Sequence, residues 1–336
     1  MADAPLLVLT GKYCEPNRDL LNSHLTSEWR TELWTPDQSD ERLMEIMSEA
    51  TAVVTGADAL LSGKMFPAIA SASDLKLMQI PFSGHDWLQA EMLPAGCTAC
   101  NVYEHHTTIA EYVMANILEW QIGMRHITPD FRQGSWKYGG SAVSGQKHGE
   151  VRGKTIGILG YGRIGQEVAK RAAAFDMRVI AVGRTPKEAP APLDWFGTNE
   201  QWPELIAESD FLVLTCPLTD ATRGIVDAKS LAAMKPSALL VNVSRGQVAV
   251  EEDLYNALKD KVIAGAVLDV WYAYPTPDAP ETKPSAFPFH ELPNTILSPH
   301  CAGWTGAQDE RRWAVIASNL DNLSAGKPLK NVISLS

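Results

Sequence analysis

No run in this chain of 336 residues approaches the roughly 20 consecutive apolar residues that a membrane-spanning helix needs. The opening Met1-Ala2-Asp3-Ala4-Pro5 precedes only a short apolar run, Leu6 to Leu9, too little for the core of a secretory signal. Positive charge is also scarce. The 29 Lys and Arg against 40 Asp and Glu give a formal net charge of −11, which excludes a bulk basic surface for nucleic acid or an anionic membrane. A local positive pocket for a small anion stays open. The five cysteines, an odd number, fit a reducing compartment better than a disulfide framework. A cytoplasmic protein is therefore expected. A second CxxC is missing as well. Cys97-Thr98-Ala99-Cys100 stands close to His105-His106, but 98–102 reads as a strand, on which residues three apart point to opposite faces. No metal site is expected.

What remains is ordinary for a globular chain of about two domains: 45% hydrophobic and 21% charged residues. The informative stretch is Lys154-Thr155-Ile156-Gly157-Ile158-Leu159-Gly160-Tyr161-Gly162-Arg163-Ile164-Gly165. A short apolar strand breaks into a Gly-x-Gly-x-x-Gly turn and continues as the Ala-rich helical pattern 166–173. Strand, glycine turn and helix together form the context of a dinucleotide-binding fingerprint. Gly160 allows the tight turn, Gly162 lets backbone approach a pyrophosphate, and Gly165 lets the helix lie against the strand. The helix N-terminus turns its unpaired N–H groups and positive dipole end toward the phosphates.

Along the first hundred residues, strands at 6–9, 32–34, 52–55, 75–80 and 98–102 alternate with helical patterns at 16–27 and 40–50. Such alternation predicts a parallel sheet with right-handed crossovers. A long helix is expected from Thr107 to about Met124, capped by Thr107 or Thr108 with Glu111 in its first turn, followed by a polar, glycine-rich segment, 134–153. Beyond the fingerprint strand come strands at 178–182, 211–214, 238–243 and 264–268. The proline-rich run 275–293 reads as a loop, and 306–325 as a helix that returns to the N-terminal domain. The predicted fold is α/β with two doubly wound parallel sheets: a flavodoxin-like substrate domain (1–104 plus 301–336) and an inserted Rossmann domain (105–300).

Five motifs in order, Gly160 to Gly165, Cys216-Pro217-Leu218-Thr219-Asp220-Ala221-Thr222, Val241 to Gly246, Ala266-Val267-Leu268-Asp269-Val270 and Ser298-Pro299-His300, make the chain resemble the D-isomer-specific 2-hydroxyacid dehydrogenase family over most of its length. The resemblance implies hydride transfer between a nicotinamide and C2 of a small 2-oxo or 2-hydroxy acid of D configuration, as in the family's glyoxylate and hydroxypyruvate reductases. It places the substrate-gripping arginine on Arg245, where a planar guanidinium suits a carboxylate and carbonyl, and the acid–base histidine on His300. Ser83-Gly84-His85-Asp86 matches the loop whose N–H groups hold the substrate carboxylate. Asp269 matches an aspartate at the nicotinamide end, with Val243 and Ser244 lining that side. Cofactor contacts are also implied at Arg163, Ile164, Cys216, Pro217, Thr222 and Gly303. A homodimer is implied too.

Two departures bear on mechanism. Five residues after Asp269, where the family carries a glutamate paired with the histidine, this chain has Tyr274. A carboxylate would raise the histidine pKa, whereas a phenol orients the ring without supplying charge. His300 is therefore expected to depend on Tyr274, or on another acid from the following loop: Asp278, Glu281 or Glu291. The family's formate dehydrogenases use a glutamine at the position of Tyr274 and an asparagine before the long helix, where this chain has Thr107, so that reading is the weaker one. Second, about 20 residues past the glycines, where NAD-binding members end a strand in aspartate, this chain reads Val182-Gly183-Arg184-Thr185-Pro186-Lys187. With no carboxylate to repel a 2′-phosphate, and Arg184 and Thr185 (with Lys187) to receive it, NADP is the expected cofactor and NAD a weaker one.

Trp271, Tyr272, Tyr274, Phe287 and Trp304 suggest an aromatic-walled pocket, the loop 275–293 part of a lid, and Arg311-Arg312 a solvated helix face. The alternative from another class is a dinucleotide-sensing binding protein on the same fold, which the change at Tyr274 keeps open.

Overall fold

In a computed structural model, residues 4–85, 87–140, 143–185, 188–276 and 279–335 are described. The chain divides into two compact units, one comprising 1–104, 275–282 and 305–336, the other 105–274 and 283–304. The first unit is built on five parallel strands, β1 (Leu6–Thr10), β2 (Arg30–Trp34), β3 (Ala50–Thr55), β4 (Leu77–Gln79) and β5 (Thr98–Cys100), in the order β2-β1-β3-β4-β5. That is the flavodoxin-like order. Both faces are covered, as a parallel sheet requires: Leu6 and Val8 enter one core, Leu7 and Leu9 the other. Cys97 and Cys100 likewise divide between the two cores.

The second unit holds β6 (Thr155–Leu159), β7 (Arg178–Val182), β8 (Trp195–Gly197), β9 (Phe211–Leu214), β10 (Leu239–Asn242), β11 (Gly265–Leu268) and β12 (Thr295–Leu297), all parallel, in the order β12-β11-β10-β9-β6-β7-β8. Val179, Ala181, Phe211, Val213, Leu239 and Val241 face one core, while Ile180, Val182, Leu212, Leu214 and Leu240 face the other. The strand order reverses at β6, the point where open α/β sheets bind ligands beyond their strand ends.

Several elements differ from expectation. The long helix runs from His106 to Ile122 with His105 at its N-cap and no side-chain cap. It starts earlier than Thr107 because the His105 carbonyl already accepts the Ile109 N–H at 3.0 Å. It ends at Gly123, whose φ of +76° suits glycine. A further helix, Met124–Arg132, follows before the glycine-rich segment. Strand β8 has too few residues to show a period. The first helix is shorter than expected, Arg18–His24. The C-terminal helix Gly306–Ser324 packs in the first unit through Trp313, Ile316, Ala317 and Leu320. Its Arg312 does not lie on a solvated face: it is 5% exposed, and Nη1 donates to the Tyr13 hydroxyl at 2.8 Å. Adjacent positions on a helix of 3.6 residues per turn point about 100° apart, so Arg311 and Arg312 have different surroundings.

Candidate active site

The glycine turn closes by contacts that a side chain would forbid. Gly160 has φ +97°, and a Cβ there would lie 2.6 Å from the Cys216 backbone nitrogen. A Cβ on Gly165 would lie 2.3 Å from the Gly160 carbonyl oxygen. Thr215, just past β9, donates its hydroxyl to that same carbonyl at 2.6 Å, joining the two strand ends on either side of the reversal point. Gly162 differs from both. Nothing lies within 4 Å of the Cβ it lacks, so the space beside it is open at the N-terminus of the helix Arg163–Ala174. The N–H groups of Arg163, Ile164 and Gly165 stand at that helix start, where no intrahelical carbonyl is available. This open cradle with an uncapped helix start fits a dinucleotide pyrophosphate.

At the end of β7, Gly183 donates to the Gly197 carbonyl at 3.0 Å, and its missing Cβ leaves room for the Phe196 ring. Arg184 and Thr185 follow, both exposed, with no carboxylate at the strand end. Lys187 lies outside the described residues. The expected cofactor contacts at 216–222 form a loop bonded to itself: Thr222 Oγ1 donates to the Pro217 carbonyl at 2.7 Å and accepts the Thr219 N–H at 2.8 Å. Val243 and Ser244 are buried, and Ser244 Oγ donates to the Cys216 carbonyl. Side-chain oxygens at 222 and 244 are thus engaged in the scaffold.

Beyond β10 and β11 the second unit gathers charge. Arg245 follows β10 in extended conformation, and its Nη1 donates to the Ser244 carbonyl at 2.9 Å. A Cβ on the adjoining Gly246 would lie 2.4 Å from the Trp271 carbonyl oxygen, so the two loops pack backbone to backbone. Tyr274 Oη accepts the Trp271 N–H at 3.0 Å and lies 2.9 Å from His300 Nδ1. With a neutral imidazole the phenol donates to Nδ1 and leaves the proton on Nε2. With a protonated ring, Nδ1–H donates to the phenol oxygen.

His300 keeps an exposed surface, yet protein atoms crowd its ring enough that desolvation lowers its pKa below the ordinary 6.5. The Asp269 charge opposes this, and the Arg245 charge adds to it. Burial raises the Tyr274 pKa, so the phenol remains a neutral partner. Asp269 is 2% exposed. Its Oδ1 accepts from Ser298 Oγ at 2.5 Å and from the Cys301 N–H at 2.8 Å, and its Oδ2 accepts from the Ala302 N–H at 3.0 Å.

Of the acids weighed for His300, Glu291 is exposed beside His290, Glu281 falls in the other unit, and Asp278 lies outside the described residues. Among the described residues the carboxylate acting on His300 is Asp269, behind the loop. Its burial hides this role from a motif. Gly303 sits against His105 and Ile109 of the long helix, whose atoms a Cβ would meet at 3.3 and 3.5 Å.

The aromatic wall divides. Trp271, Tyr272 and Phe287 pack into or against the core of the second unit, with Trp271 and Tyr255 ringing Phe289. Only Tyr274 and Trp304 present large exposed surfaces, 41% and 63%. The second half of the expected lid is tied down, since Glu251 Oε1 accepts from Ser285 Oγ at 2.6 Å and from the Ala286 N–H at 2.8 Å.

In the first unit, Ser83, Gly84 and His85 follow β4. Asn101 Nδ2 donates to the Ser83 carbonyl at 2.9 Å, and His85 Nδ1 lies 3.0 Å from the same oxygen. Asp86 lies outside the described residues. Sequence reasoning missed Asn101 as the support of this loop, and Tyr112 as a partner of Ser298, 2.5 Å from its hydroxyl. Neither belongs to a motif, and only the fold brings them to those partners.

Residues 114–302 match the model of the D-isomer specific 2-hydroxyacid dehydrogenase, NAD binding domain. The chain is 34% identical to a glyoxylate reductase of Thermococcus onnurineus, covering 94% of this chain and 92% of that one, and 30% identical to a glycerate dehydrogenase of Methylorubrum extorquens over 89% of each. A crystallised 2-hydroxyacid dehydrogenase of Ketogulonicigenium vulgare superposes with a TM-score of 0.78 at 28% identity, covering 98% of each chain. With a matching domain model over more than half its length and relatives of 30% identity or more over most of their length, the chain belongs to the D-isomer specific 2-hydroxyacid dehydrogenase family of oxidoreductases.

Proposed function

We propose that this protein is an NADP-preferring reductase of small 2-oxo acids, with glyoxylate and hydroxypyruvate the first candidates because relatives carry those names. The observation that carries the reading is the group Arg245, Tyr274 and His300 in the same unit as the Gly160–Gly165 cradle. Arg245 binds the substrate carboxylate and polarises the C2 carbonyl. His300 exchanges the proton with the C2 oxygen from Nε2 while Tyr274 holds Nδ1. The dinucleotide, when bound, supplies the hydride. Ser83, Gly84 and His85 bind the substrate carboxylate through backbone N–H groups. The first unit serves as substrate domain, the second as dinucleotide domain. The preference for NADP rests on Arg184 and Thr185 where a carboxylate would repel a 2′-phosphate, with weaker use of NAD. A cytoplasmic homodimer completes the reading.

The test is a spectrophotometric screen of the purified protein with NADPH and NADH against glyoxylate, hydroxypyruvate, pyruvate, phenylpyruvate and 2-oxoglutarate, with formate and oxidised cofactors as the outgroup. Rapid NADPH oxidation by one of these acids is expected. Turnover with formate would replace the proposal. Silence across the panel with dinucleotide binding intact would favour a sensor.

A further inference from the structure

The buried carboxylate behind the histidine loop has a hydrogen-bond chain of its own. Ionised Asp269 accepts but cannot donate, so the 2.5 Å contact with Ser298 Oγ has the hydroxyl proton pointing at the carboxylate. The Ser298 oxygen is left to accept, and Tyr112 Oη lies 2.5 Å from it. Proton direction in the chain is therefore fixed as Tyr112 to Ser298 to Asp269. Each member polarises the next. Tyr112 stands on the helix His106–Ile122, and Trp271 Nε1 pins the same loop by donating to the Ser298 carbonyl at 2.8 Å. The other two donors to Asp269 are the N–H groups of the two residues after His300. His300 itself has φ +59°, a left-handed conformation that is strained for a non-glycine residue. A carboxylate gripping both following N–H groups offsets that strain.

We infer that Tyr112 and Ser298 are positioning residues for His300: they hold the Asp269 carboxylate aimed into the 300–302 turn, so that its charge stands in for the carboxylate that Tyr274 replaces. This rests on His300 being the acid–base group of the proposed reaction. Tyr112 suits the task because burial pushes its pKa up to about 12, keeping it a donor throughout the working pH range. The groups that face His300 are Tyr274 after β11, Arg245 after β10, Asp269 at the end of β11 and Cys301 beside it, with His105 and Tyr112 on the helix against the same loop. Of these, Asp269 is the anion. Loosening it removes the influence that opposes the lowering of the imidazole pKa by burial.

The test is the NMR titration of the His300 Cε1 proton in the full-length protein, assigned by its loss in His300→Gln, alongside the pH profile of kcat. In Tyr112→Phe and Ser298→Ala the titration midpoint is expected to move to lower pH, kcat to fall, and the substrate KM to stay within about twofold. Ser298→Thr, which keeps the hydroxyl, restores the midpoint. Should Ser298→Ala not fold, Tyr112→Phe removes one oxygen, keeps the ring and carries the test. A lowered melting temperature with the midpoint unmoved would show a merely structural chain and overturn the inference. If His300→Gln retained full turnover, the acid–base reading would fail instead, while the titration would still report whether the chain acts on the ring.

Discussion

Tyr274 Oη lies 2.9 Å from His300 Nδ1 while it accepts the Trp271 N–H at 3.0 Å. The backbone bond occupies one lone pair and fixes the phenol, so the ring meets an anchored hydroxyl. The consequence is kinetic. A neutral phenol does not stabilise imidazolium as a carboxylate does, and desolvation holds the His300 pKa below its ordinary value. Reduction, which consumes a proton, should therefore be fastest on the acid side of neutrality and decline as pH rises through that lowered pKa. Tyr274→Glu should shift this limb to higher pH. Tyr274→Phe should lower kcat by about a hundredfold, the low end of what a positioned acid–base group contributes. A pH–rate profile unchanged by Tyr274→Glu would remove Tyr274 from the mechanism.

The same lowered pKa makes a stability prediction of definite sign. Protonation of His300 is easier in the unfolded chain than in the folded one, so its contribution is full above about pH 6.5, the unfolded value. It is lost as pH falls through the folded value. Thermal melts of wild type and His300→Gln between pH 8 and pH 5 should show the wild type losing ground to the variant toward acid.

Two glycines of the turn, Gly162 and Gly165, should separate folding from binding. Gly162→Ala enters open space and should cost less than about 1 kcal/mol of stability. It should nevertheless weaken NADPH binding by tenfold or more, read by fluorescence titration. Gly165→Ala meets the Gly160 carbonyl and should destabilise by about 1–3 kcal/mol, read by denaturant melts.

Cofactor choice should turn on Arg184. Arg184→Ala should raise the KM for NADPH by about tenfold, equivalent to about 1.4 kcal/mol, and change that for NADH little. Equal losses for both would mean the guanidinium acts on the adenine they share.

In the first unit, the Tyr13 hydroxyl donates to Asp309 Oδ1 at 2.6 Å and accepts from Arg312 at 2.8 Å. Tyr13→Phe leaves a buried guanidinium short of an acceptor and should cost about 1–3 kcal/mol in urea melts. Arg311→Ala, on the neighbouring position, should stay within about 0.5 kcal/mol.

The sequence by itself determined the two parallel sheets, because strand periodicity and glycine spacing are local. Val182, Leu214 and Asn242 end strands close to where apolar runs stop, and Gly160 and Gly165 are forced by contacts within a few residues of the turn and its neighbouring strand. It also brought Tyr274 to notice, since a missing carboxylate shows in a motif. Tertiary structure alone decided which partners meet. Tyr112 and Ser298 are 186 residues apart and Tyr13 and Arg312 299 apart, and no local pattern encodes a hydrogen bond across such distances. Tertiary structure also turned Arg312 inward, sent Trp271 and Phe287 to the core, and placed Asp269 rather than Glu281 or Glu291 behind His300. Burial and charge compensation are properties of packed surroundings, which a residue acquires only when distant segments fold against it.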